Sequence, residues 1–364
     1  MKKRILALAA VSVLAVSVFA GCAGDRSGSA STSAPAQGAE GEAASDPDAT
    51  YNWRMAHEEY EGDMQDVYCK EFAQLLNEKS DGRITLEVYQ VGQIGDALQQ
   101  CELLQNGGLE FAVISPGNTG TVVPENQLFS LHFLFPEDMT KTQQILRDSV
   151  ALNEMLTAKY LEKKIQPLSY WTEGAMQWTA NKPLNTPDAF KGLKFRTMQS
   201  PMIIAAYEAY GANPTPMSYL EVYSGLQLNM IEGQENPISA IHTSKFHEVQ
   251  DYLTRANSNL YITATCVNPD FFNSLPADIQ QIVLDCIDEM VPRSFEIQEE
   301  LNGGALDLIL EESDIQVVDL TEEERAAFKE KALTAYDKYK ELVGQDGAAI
   351  LDKLLEEVAA VNAE

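Results

Sequence analysis

Between Gly192 and Asn236 the chain reads as one compact α/β unit, and this unit limits the fold more than any other stretch. Leu193-Lys194-Phe195-Arg196-Thr197 alternates, so Leu193 and Phe195 face one side of a strand and Arg196 the other. A helical stretch follows, then a tight Gly turn that ends at Asn236. Open α/β sheets take their ligands at the carboxyl ends of strands, and Arg196 lies near such an end. A guanidinium grips a carboxylate through two parallel N–H bonds. Each contributes about 1.5–3 kcal/mol net. One fixed cation and one amide hold a carboxylate without reacting with it. On the residues alone, a surface arginine beside an acidic neighbour is an equal reading.

The rest of the chain alternates in the same way. Arg83 to Val88 alternates polar and apolar, as a half-buried strand does. It follows a helical stretch from about Asp63 to Lys79, closed by Asp81-Gly82. A helix over 95–106 leads into the apolar run Leu109–Ser115, ended by Pro116-Gly117. Thr186 with Pro187 marks a helix start. Ser218 with Glu221, and Thr321 with Glu324, fit capping boxes. From Ala277 onward helices dominate, with Gly303-Gly304 and Gly344 as punctuation and Pro292 as a kink or break. This alternation predicts largely parallel sheets with helices on both faces.

The amino terminus has a basic start, an apolar stretch from Ile5 to Ala20, and then Gly21-Cys22. That describes a secretory signal over residues 1–21. The apolar stretch is short for a membrane span. Phe19-Ala20-Gly21-Cys22 looks like a lipobox, with Cys22 as the lipidated first residue and a membrane anchor. Plain secretion with cleavage after Ala20 is the alternative. Residues 22–50 are Gly, Ser, Ala, Thr, Pro and acidic, a composition suited to a flexible linker. The folded part begins near Tyr51 and is long enough for two lobes.

The net charge of −29 excludes nucleic acid as a partner, which needs a basic face. Beyond Cys22 stand Cys69, Cys101, Cys266 and Cys286, none in a CxxC pair. Disulfides and free buried thiols both remain open. No GxSxG, HExxH, SxxK or GxxxxGK motif occurs. His242 and His247 are five apart, off one helical face, so no metal pair is expected. The loop Ser115 to Gly120 offers backbone N–H groups to an anion, but no lysine follows as a nucleotide loop requires. Neither catalysis, nor a cofactor, nor a metal is expected.

Three stretches carry a family resemblance. Val91-Gly92-Gln93-Ile94-Gly95-Asp96 is similar to a "gqlG" turn, and Pro187 through Arg196 to "DlkGlKiR". Glu221-Val222-Tyr223 through Ile231-Glu232-Gly233-Gln234-Glu235-Asn236-Pro237 is similar to "EvytaLqtGvvDGqEnP". The chain after Tyr51 thus resembles solute-binding proteins of tripartite ATP-independent periplasmic (TRAP) transporters, DctP type. The resemblance implies a two-lobed α/β periplasmic-binding-protein-like fold, a ligand cleft between the lobes and long bracing C-terminal helices. By that analogy residues 51–173 and 262–301 form lobe one, and 174–261 and 302–364 lobe two. It implies that Arg196 holds a substrate carboxylate, that Asn236 contacts the ligand and that Tyr219 packs on it. Many members carry a second arginine in a "GfR" segment; here Gly174-Ala175-Met176 puts Met176 in its place, between Trp171 and Trp178. One cation with an apolar or aromatic wall suits a monocarboxylate. His57, Ser115 and Asn118 are further pocket candidates, each beside the end of a predicted lobe-one strand. The implied partners are a small organic acid and the membrane permease of an ion-driven TRAP transporter, with the protein a monomer. Rival readings are a binding lipoprotein of another transporter or sensory system, a secreted lipoprotein enzyme, or a structural lipoprotein.

Overall fold

The computed structural model describes residues 46 and 48–363. The signal, Cys22 and the linker up to Ser45 lie outside the described residues. The strands are β1 Tyr51–Ala56, β2 Ile84–Tyr89, β3 Phe111–Ile114, β4 Gln166–Ala175, β5 Gln177–Ala180, β6 Lys194–Thr197, β7 Asn213–Pro216, β8 Gly233–Asn236, β9 Tyr252–Arg255, β10 Leu260–Val267 and β11 Gln316–Asp319. They form two sheets, ordered β2-β1-β3-β10-β4 and β11-β9-β5-β8-β6-β7.

Both sheets are mixed rather than purely parallel. β10 runs antiparallel to β3 and β4, and β5 antiparallel to β8 and β9. The other pairings are parallel. The exceptions share one cause. A parallel neighbour needs a long crossover, usually a helix. β5 and β10 instead arrive by short passages from the other sheet, β4 to β5 through Met176 and β9 to β10 through 256–259. These two passages join the lobes.

Each sheet is covered on both faces. In β3, Phe111 and Val113 join one core with Met55, Phe72 and Trp171. Ala112 and Ile114 join the opposite core with Phe129 and Tyr160. A four-residue apolar run with both faces buried is the signature of a central strand. In the second lobe, Phe195, Trp178, Phe190 and Phe328 cover one face, and Val222, Ile231, Leu253 and Ile309 the other.

Two long helical runs close the molecule. The first, Ala277–Glu312, is continuous through Pro292 and through Gly303-Gly304. A Cβ at either glycine would meet open space, so no close contact requires glycine there. Asn302 on this helix ties the lobes: its Nδ2 donates to the Glu173 carbonyl at 2.8 Å, and its Oδ1 accepts the Ser239 N–H at 3.1 Å. The second run, Glu322–Ala363, bends at Gly344, where φ is 67°. The Thr321 box forms: Glu324 accepts the Thr321 N–H at 2.9 Å, and Thr321 Oγ1 accepts the Glu324 N–H at 3.2 Å.

Other local expectations are corrected. Ser218 makes no cap bond, and the chain there is a short 3-10 turn, Tyr219–Glu221, before the helix Val222–Gln227. Thr186-Pro187 opens only a 3-10 turn, Pro187–Phe190. His242 and His247, far apart on a helical wheel, meet through a turn in which Lys245 adopts φ 58°. Their rings stack at 5.5 Å, and both Nε2 atoms face Glu312, at 3.2 and 3.4 Å. Among the described residues no group of side chains is arranged to hold a metal ion. Cys69, Cys101, Cys266 and Cys286 are all buried, and none forms a disulfide among the described residues. No helix among them is long and apolar enough to cross a membrane.

Candidate functional site

The carboxyl ends of β1, β3, β6 and β8 and the loop after β7 converge on one small cleft between the sheets. It holds about 50 Å³ and is lined by Glu58, Glu59, Asn118, Arg196, Tyr219 and Asn236, among others.

Arg196 is only 3% exposed, and among the described residues no carboxylate lies within ion-pair distance of it. The reading of a surface arginine beside an acidic neighbour is thereby excluded. Nε and Nη2 both donate to the Met217 carbonyl, at 3.1 and 2.9 Å. That bond fixes the guanidinium plane and anchors the loop that carries Tyr219. Burial works against the charge, and the Glu235 carboxylate offsets part of this from a distance. Glu235 is itself engaged by the Tyr207 hydroxyl. Nη1 has no hydrogen-bond partner among the described residues, so the cation is held but not satisfied.

Asn236 ends β8, and its Nδ2 donates to Gln234 Oε1. The motif around it has a steric reason. A Cβ at Gly233 would lie 2.7 Å from the Thr179 carbonyl, so only glycine lets β8 pair with β5. Tyr219 sits on the loop after β7. Its hydroxyl bonds Ser244 Oγ at 2.5 Å, and its ring lies 5.4 Å from Tyr60 of the other lobe.

The opposite wall is acidic. Glu58 and Glu59 stand just past β1, after His57, and are 4% and 6% exposed. Glu58 accepts three hydrogen bonds: Ser115 N–H at 3.2 Å, Ser115 Oγ at 2.6 Å and Asn118 Nδ2 at 2.9 Å. Burial outweighs these bonds and pushes its carboxyl up to about 7. Glu59 accepts the Gln65 N–H at 2.9 Å. Behind it Glu173 accepts Gln65 Nε2 at 2.8 Å, and burial followed by the Glu59 charge raises its carboxyl strongly.

Of the eight ligand-binding residues expected from the sequence, Arg196, Asn236, Tyr219 and Asn118 line this cleft. Ser115 stands behind Glu58 as its donor. His57 is fully buried, its Nε2 3.5 Å from Asp66 and its Nδ1 accepting the Glu59 N–H at 3.4 Å. Met176 lies in a small space that adjoins the cleft beneath the interlobe passage, sharing Met198 and Tyr261 with it and bordered also by Glu235. Trp171 is a core residue: it stacks on Tyr68 at 4.3 Å and donates Nε1–H to Thr265 at 3.0 Å. Trp171 and Met176 thus do not line the cleft, whose apolar wall comes from Tyr219, Tyr261, Met198 and Met217, with Glu58 and Glu59 beside them. Glu58 and Glu59 were the residues missed. Their signal is the acidic doublet at the end of an alternating strand.

A family model described as "bacterial extracellular solute-binding protein, family 7", DctP, matches residues 55–342. The chain belongs to this family. The DctP-type solute-binding protein is 38% identical over 314 residues to the ectoine-binding periplasmic protein TeaA of Halomonas elongata, covering 86% of this chain and 92% of that one. The solved structure of the ectoine-binding protein from the TeaABC TRAP transporter of Halomonas elongata superposes with a TM-score of 0.82, at 38% identity, over 85% of this chain and 99% of that one. A TRAP periplasmic solute-binding protein from Shewanella oneidensis with bound succinate gives a TM-score of 0.79 at 28% identity, over 86% and 100%. This solute-binding protein captures a small organic acid for a TRAP-type transporter.

Proposed function

We propose that the ligand is a small zwitterion, a carboxylate carrying a cationic or donor-rich head, of the kind that ectoine exemplifies. The observation that carries this reading is one free cation, Arg196, facing Glu58 and Glu59 across one cleft. The ligand's carboxylate would take Arg196 Nη1 and the Asn236 amide, and its cationic head would lie against the glutamates, with Tyr219 on its apolar body. A second carboxylate would meet like charge at Glu58 and Glu59, with no second cation among the cleft-lining residues to receive it. The name of the relative TeaA supports the same class.

The lobes, taken as 51–173 with 262–301 and 174–261 with 302–364, close on this ligand and present the closed form to the permease. The signal over residues 1–21, lipidation at Cys22, the linker over 22–50 and a monomeric state complete the proposal. Calorimetric titration with ectoine, 5-hydroxyectoine, succinate and malate tests it. Tighter binding of the zwitterions is expected. Tighter binding of succinate or malate would overturn the ligand class and leave a dicarboxylate carrier.

A further inference from the structure

A second cavity near the interlobe passages is larger than the cleft. It lies on their far side and holds about 480 Å³, within the usual range for a small-molecule site. The passages themselves separate the two spaces. Gly174, Ala175 and the run Asn257 to Leu260 line the rear cavity, whereas the next residue, Tyr261, lines the cleft. The floor is apolar, with Phe133, Phe135, Met139, Leu260 and Val358. The rim is cationic. Glu137 is the one acidic residue lining it among the described residues, and Arg325 pairs with Glu137 at 2.6 Å. Arg325 also donates to the Ala256 and Asn257 carbonyls, at 2.6 and 3.0 Å, so it is spoken for. Lys329 lines the same cavity and has no ion-pair partner among the described residues. Ser258 is fully buried there, and its Oγ has no hydrogen-bond partner among them. A net-positive, apolar-floored cavity is unusual in a chain of net charge −29.

We propose that this rear cavity is a second binding site, for an amphipathic monocarboxylate, and that its occupancy favours the closed form. Its carboxylate pairs with Lys329 at the rim, and its apolar tail covers the aromatic floor. Hinge bending closes the front of a two-lobed protein by spreading its back. Here the front encloses about 50 Å³ and the back about 480 Å³. A rear ligand therefore wedges the closed geometry and raises affinity at the cleft, and the cleft ligand raises affinity at the rear by the same factor.

Hexanoate is the probe. Arg196→Ala disables the cleft, so hexanoate binding to that variant, followed by calorimetry or ligand-observed NMR, reports the rear site alone. Binding that survives Arg196→Ala, falls at least about tenfold with added Lys329→Glu and persists with Lys329→Arg is expected. Saturating hexanoate is expected to tighten the cleft ligand in the wild-type protein by about fivefold. No hexanoate binding to Arg196→Ala, or binding indifferent to Lys329→Glu, overturns the site. Binding without any effect at the cleft overturns the coupling. If Arg196→Ala leaves the cleft ligand bound, the cleft reading fails while the Lys329 arm still judges the rear site.

Discussion

Arg196→Met separates the two roles of the guanidinium. The side chain is buried without a counter-ion among the described residues and donates twice to the Met217 carbonyl. Removing the charge relieves a desolvation cost of several kcal/mol. Losing the two bonds costs about 1.5–3 kcal/mol each. These terms are of similar size and opposite sign. The melting temperature of the free variant is therefore expected within about 4 °C of wild type, since 1 kcal/mol moves a protein of this size by about 2 °C. The bound state has no such offset. One charge-assisted bond from Nη1 to a carboxylate is worth about 1.5–3 kcal/mol, so the dissociation constant rises by about 10–10². Calorimetry gives the affinity and thermal unfolding gives the free-state stability. Affinity within tenfold of wild type would refute the carboxylate role. A fall in free-state stability as large as a core truncation would mark Arg196 as a structural clasp for the Met217 loop.

Three further outcomes are expected. Glu58 and Glu235 both have carboxyls pushed up to about 7 by burial, above their unfolded values of about 4.3. Their contribution to stability is full below about pH 4 and is lost as pH rises through about 7, so the melting temperature falls over that window and Glu58→Gln flattens the slope. A slope unchanged by the substitution would show that Glu58 ionises freely. Trp171→Ala is expected to cost about 3–5 kcal/mol in denaturant unfolding while leaving ligand affinity in place, which a binding role for Trp171 would not allow. Thiol titration of the described domain should find the four buried cysteines unreactive in the native protein and all reactive once unfolded, with the melting temperature indifferent to reductant.

What was legible in the sequence was whatever one strand or one turn decides locally. Phe111 to Ile114 announced a buried strand because both faces are apolar, and Arg196 announced itself as the odd charge on an alternating strand. Gly233 to Asn236 reads as a tight turn, yet it is strand β8, and the reason for the glycine, the Thr179 carbonyl behind it, belongs to another strand. The misses are tertiary. Ser218 matches a capping box, yet the Arg196–Met217 bond anchors the residue before it and its side chain makes no cap. Gly303-Gly304 reads as a break, yet Asn302 ties that turn of helix to both lobes. Trp171 and Met176 flank a segment that in a linear motif looks like ligand wall. Their side chains point instead to the core and to a space beneath the passage. Glu58 and Glu59 stand one and two residues after His57, and a pair of carboxylates carries little signal in so acidic a chain.

The charge state of Glu58 decides what the cleft accepts, and pH is the handle on it. With its carboxyl pushed up to about 7 by burial, Glu58 is largely neutral in mildly acidic solution. A ligand with a cationic head needs it ionised, so binding then releases a proton. Affinity rises with pH, by up to about tenfold per unit, and levels off above about 7. A ligand that is purely anionic at that end needs Glu58 neutral, and its affinity falls as pH passes through the same point. The two ligand classes thus predict opposite slopes from one geometry. Dissociation constants between about pH 5.5 and 8.5 for ectoine and for succinate, in wild type and Glu58→Gln, read the sign directly. Rising affinity for ectoine that becomes flat in Glu58→Gln places the cationic head against this glutamate. A flat profile in the wild-type protein would mean that the ligand never meets Glu58, and the zwitterion reading would fall with it.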